Sequence, residues 1–92
     1  MGSLAKNMLT FINSCKDGQK PSRKETIEFL GTIMANMMVM ETFKQNPHEM
    51  ISIMSGLAKE WTADEQDQET LLNEANHWLQ SEIEKNKTSQ RA

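Results

Sequence analysis

Ser22 before Glu25, Asn46 before Glu49 and Thr62 before Glu65 each place a short polar residue three positions ahead of a glutamate, just ahead of an apolar stripe. The first amides of a helix have no carbonyl one turn back to pair with. A cap side-chain oxygen and a carboxylate at the third helical position satisfy them, so this spacing marks helix starts. Three such marks leave little of the chain for anything but helices. Pro47 strengthens the second, because a missing N–H is harmless at a first helical position, and it also disfavours helix in the residue before it. Strands have no comparable support, since period-two alternation is absent, Val39 is the one valine and there is no tyrosine.

Apolar spacing fills in the elements. Leu4, Met8, Phe11, Ile12 and Cys15 form one stripe, which Asp17-Gly18 ends. Met50, Met54, Leu57, Ala58 and Trp61 form another, and Leu71, Leu72, Ala75, Trp78, Leu79 and Ile83 a third. The expected fold is all-α, a compact bundle or array of four helices near 4–15, 22–45, 47–61 and 63–85, in a single domain over 1–85. Residues 86–92 read as a polar tail that frays. Gly31 and Gly56 fall inside helices, where each costs about 1 kcal/mol relative to alanine, and close helix packing is the expected reason for both.

The second segment is the unusual one. On a helical wheel Ile27, Leu30, Met34 and Met38 share one face and Phe29, Ile33, Met40 and Phe43 another, with Met37 between. The apolar arc spans roughly 220°, about twice what packing on one side requires. As a central helix wrapped by its companions, it would use methionine to fill irregular gaps. As a surface, Met37, Met40 and Phe43 would adapt to a partner or form a homodimer seam.

Charge is uneven along the chain. Residues 1–47 hold six bases and four acids, whereas 48–92 hold four bases and nine acids. From 60 to 84 there are eight acids and no Lys or Arg, among them Asp64, Asp67, Glu69 and Glu74. Some of these suit the positive end of a helix, and the rest suit a solvated face or one that docks on a basic surface. The basic cluster Lys16, Lys20, Arg23 and Lys24 lacks interleaved aromatics, so nucleic acid is not the expected partner.

Catalytic and metal signatures are missing from the sequence. Glu74 and His77 have a spacing used in carboxylate-bridged metal bundles, but such sites need a second pair, and His48 reads as exposed near a helix start. Cys15 lies on an apolar stripe and reads as a small buried hydrophobe. Phosphate loops, nucleophile elbows and Cys-x-x-Cys pairs do not occur. No enzyme, cofactor or metal is expected. Met1-Gly2-Ser3 reads as an initiator or cloning remnant rather than a signal peptide. The longest apolar run, 27–43, is broken by Glu28, Asn36 and Glu41 and falls short of the ~20 residues a membrane span needs. With one cysteine and no internal disulfide, a cytoplasmic protein without membrane contact is expected.

The function these features suggest is a small non-enzymatic interaction module, a regulator or inhibitor. It would bind a larger protein with a basic surface through Met37, Met40, Phe43, Asp64, Asp67, Glu69 and Glu74. The alternative is a self-associating, homodimeric structural or nucleic-acid-associated bundle.

Overall fold

In the computed structural model, which describes the backbone of residues 2–91 and the side chains of 2–87, every regular element is a helix. They are α1 (Ser3–Lys16), α2 (Arg23–Met38), α3 (Glu41–Gln45), α4 (Pro47–Trp61) and α5 (Glu65–Arg91). The all-α fold is as the sequence requires, and four of these helices are long. The stretch from Asn86 continues as helix to Arg91, and Ala92 lies outside the described residues.

Of the three expected capping boxes, one forms in full. Ser22 Oγ accepts from the Glu25 amide at 3.1 Å, and Glu25 Oε1 accepts from the Ser22 amide at 3.0 Å. Asn46 makes no side-chain cap, and α4 starts on Pro47 with only its backbone turned in. The third start is displaced from Thr62. Asp64 caps α5 instead, its Oδ1 accepting from the Gln66 amide at 2.9 Å and the Asp67 amide at 3.4 Å. Aspartate caps at least as well as threonine and adds a negative charge at the helix's positive end, so it wins the competition. Thr62 closes α4, donating its amide to the Ala58 carbonyl at 3.0 Å. At the other turn, Gly18 takes φ 78°, the left-handed geometry that ends α1.

The expected helix over 22–45 is broken in two. The Met40 amide reaches back only three residues, to the Met37 carbonyl at 3.0 Å, and Met40 itself is extended at φ −92°, ψ 129°. Its carbonyl then accepts from the Phe43 and Lys44 amides, which starts α3. Packing explains the break. In an unbroken helix Phe43 would point about 180° away from Met34 and about 120° away from Met37, at about 100° per residue. The break turns Phe43 into the same core as both.

The helices α2 and α4 each touch all the others, and α1 and α5 pack on this central pair. Residues of α2 and α5 pair in the same chain order, Arg23 with Asp67 and Glu74, then Gly31 with Ala75 and Trp78, so these two helices run side by side in one direction. Phe11, Leu30, Ile33, Met37, Met54, Leu57, Leu71 and Leu79 are among the buried side chains of the core. Gly31 is packed as expected. Gly56 is not, because a Cβ there would meet nothing within 4 Å.

Candidate partner-binding surface

The residues singled out from the sequence do not form one patch. Met37 is 0% exposed and Phe43 is buried beside it in the core, so neither offers a surface. Met40 stays 38% exposed at the α2–α3 break, next to Val39 at 76%. The wide apolar arc therefore divides into a core part and a short exposed knuckle of Met38, Val39 and Met40.

The acidic run is divided in the same way by what its members already hold. Asp64 is committed to capping α5. Asp67 and Glu74 lie one side of α5 and grip Arg23 from α2: Arg23 Nη1 donates to Asp67 Oδ1 at 3.0 Å, while Nε and Nη2 both donate to Glu74 Oε1. Hydrogen bonding to Glu74, more than any other contact, holds the guanidinium in its charged form, and the pair with Asp67 adds to this. All three side chains are about a third or more exposed, so water screens the attraction and its main effect is registry between α2 and α5. Glu65 and Glu69, in contrast, carry no hydrogen bond or ion pair from their side chains among the described residues.

Two members of the basic cluster, Lys20 and Arg23, are likewise occupied. Lys20 Nζ donates to the Trp61 carbonyl at 2.7 Å and sits 4.6 Å from the Trp61 ring centroid, a cation placed at the negative end of α4. Trp61 Nε1 in turn donates to the Pro21 carbonyl at 2.8 Å. Together Lys20 and Arg23 stitch the α1–α2 connection and the start of α2 to the end of α4 and the first half of α5.

Glu69 and Glu65 line one end of an open groove between α4 and α5, together with Ser55, Gln68 and Asn73. Ile51 and Leu72 are common to this end and to the next stretch, where Met34, Met50 and Met54 form an apolar floor and Asn76 the rim. Ile51 is 62% exposed. Sequence reasoning passed over Ile51, gave Glu65 to a capping box and placed Leu72 in the core stripe of α5. The available signal was that Ile51 stands at the edge of the α4 core stripe, about 40° from Ser55 on the helical wheel.

Chemistry is sparse elsewhere. Cys15 is half-buried, and its thiol is pushed up by burial first and by Glu60 second, with Lys20 opposing, which disfavours the nucleophilic thiolate. His48 and His77 are exposed, and among the described residues no three His, Cys, Asp or Glu side chains cluster as metal ligands. Among those residues no helix is long and apolar enough to cross a membrane. No protein-family model, curated protein or solved structure matches this chain.

Proposed function

We propose that this chain is a small non-enzymatic protein-interaction module, a regulator or inhibitor acting in the cytoplasm on a larger partner that presents a basic surface. The observation that carries this reading is the juxtaposition of Ile51, largely exposed, with Glu65 and Glu69, whose carboxylates form no ion pair among the described residues. An apolar centre with a polar, solvent-accessible rim is the usual anatomy of a docking surface. In such an interface the charged rim sets the rate of arrival and the apolar centre the residence time. Asp67 and Glu74 make a poor probe of this, since reversing them would also release Arg23. Partners captured from the native host and identified by mass spectrometry should be purified, and their binding kinetics measured across salt concentrations. Glu65→Lys with Glu69→Lys is expected to slow association and flatten its salt dependence, while Ile51→Ser speeds dissociation. Association unchanged by the charge reversals at low salt sinks the acidic-surface reading.

A further inference from the structure

Resting on that reading, we infer that the α4–α5 groove takes a basic amphipathic α-helix, laid along α5 with its apolar face on Ile51, Leu72 and the three methionines. The lining supports a helix rather than another occupant. From Glu65 to Asn76 the groove runs along α5 for about 17 Å at 1.5 Å per residue, the length of three helical turns. Its floor is apolar, so an extended strand laid there would leave backbone amides and carbonyls without partners, whereas a helix satisfies its own. Every regular element of the described chain is a helix, so no sheet edge exists for a strand to extend. Met34, Met50 and Met54 come from α2 and α4, and flexible thioethers accommodate anchors of varied shape.

Charge fixes the other face of the occupant. Glu65 and Glu69 are four residues apart on α5 and so stand one above the other, at the spacing of cations placed at i and i+4 on a facing helix. Asp64, Asp67 and Glu74 are engaged within the fold, which leaves Glu65 and Glu69 as the pair on the groove that is open to a partner's Lys or Arg. Gln68, Asn73 and Asn76 supply polar groups along the rim for the residues between.

The test uses the whole chain, labelled with nitrogen-15, and three synthetic peptides of about 14 residues, roughly four helical turns. The first has leucines at i, i+3, i+4 and i+7 flanked by lysines; the second replaces each lysine with glutamate; the third keeps the first composition but carries two central prolines. The lysine helix is expected to bind with chemical-shift changes centred on Ile51, Leu72 and Asn76, and the glutamate twin to bind about tenfold or more weakly, as like charges face each other. Ile51→Ser and the Glu65→Lys/Glu69→Lys variant should each lose binding of the lysine helix, with circular dichroism and melting confirming that the fold persists. Shift changes elsewhere, or equal binding of the twin, overturn the inference. Equal binding of the proline peptide with the same dependence on Glu65 and Glu69 overturns the helical occupant while leaving the acidic-surface reading standing. No binding by either lysine peptide overturns both. Light scattering that finds a dimer, with the groove signals shifting on dilution, assigns the groove to a second copy and also overturns it.

Discussion

The indole of Trp78 lies directly over the backbone of Gly31: a Cβ built on Gly31 would stand 2.4 Å from Cε3 and 2.7 Å from Cζ3 of the ring. The Ala75 carbonyl, also on α5, would be 3.2 Å away. Helix α2 meets α5 at this point because one residue of α2 has no side chain, and the tryptophan of α5 uses the vacated volume.

Gly31→Ala is therefore expected to destabilise the protein even though alanine is the better helix former. The propensity gain of about 1 kcal/mol is outweighed by the ~1–3 kcal/mol cost of overpacking, since a half-buried indole cannot move aside freely. Gly56→Ala has no such opposition and should stabilise by about 0.5–1 kcal/mol. Thermal unfolding followed by circular dichroism checks both, at roughly 4–8 °C per kcal/mol for a domain of this size. Shifts of the same sign would refute this account of the two glycines.

Thr26 on α2 is fully buried, and its hydroxyl oxygen has no hydrogen-bond partner among the described residues. A desolvated, unsatisfied hydroxyl costs about 1–3 kcal/mol, and valine has the same shape without it. Thr26→Val should raise the urea midpoint with the slope unchanged, a gain of about 1 kcal/mol. A lower midpoint would mean that the hydroxyl is bonded after all.

The division of the methionine-rich segment gives opposite outcomes at neighbouring positions. Met37→Ala should cost about 2–5 kcal/mol and Phe43→Ala about 3–5 kcal/mol, large parts of a total near 5–15 kcal/mol. Met40→Ala, at the exposed break, should stay within about 0.5 kcal/mol of the parent. Chemical denaturation of the three variants decides the matter, and a large loss at Met40 would place it in the core.

Glu25 provides the pH dependence. Its carboxylate is held below the usual range by the Ser22 backbone amide first and by the Ser22 side chain second. A group with a depressed native pKa contributes stability that is present above its unfolded value, about 4.3, and disappears as pH falls through the lower native one. The stability difference between the parent and Glu25→Gln should thus be constant near neutrality and shrink in acid below about pH 4. Denaturation midpoints at a series of pH values measure it, and a difference that grows in acid contradicts the capping box.

Local chemistry made most of the helices legible in the sequence. The Ser22–Glu25 box, Pro47 and the apolar stripes placed α1, α4 and the start of α2 within a residue or so of where they lie. The break at Val39-Met40 was invisible because it contains no glycine or proline, and its cause is the pull of Phe43 toward a core assembled from distant residues. The displaced start of α5 was a competition between two good caps two residues apart, which spacing alone does not resolve. The candidate surface was read less well. Burial removed Met37 and Phe43, and Arg23, more than forty positions away in sequence, claimed Asp67 and Glu74. Glu69 alone of the expected carboxylates faces the groove. Such partitions depend on long-range pairings that no local pattern encodes.

The clasp between Trp61 and the Pro21 carbonyl has an optical consequence. The chain contains two tryptophans and no tyrosine, so its indole emission, free of any tyrosine contribution, comes from Trp61 and Trp78. One indole is bonded to Pro21, two residues ahead of α2, with a lysine cation against its ring, and the other rests on the middle of the same helix. Both chromophores thus report on a single event, the seating of α2. With either tryptophan replaced by phenylalanine, the remaining one tells whether that helix detaches from its end or from its centre.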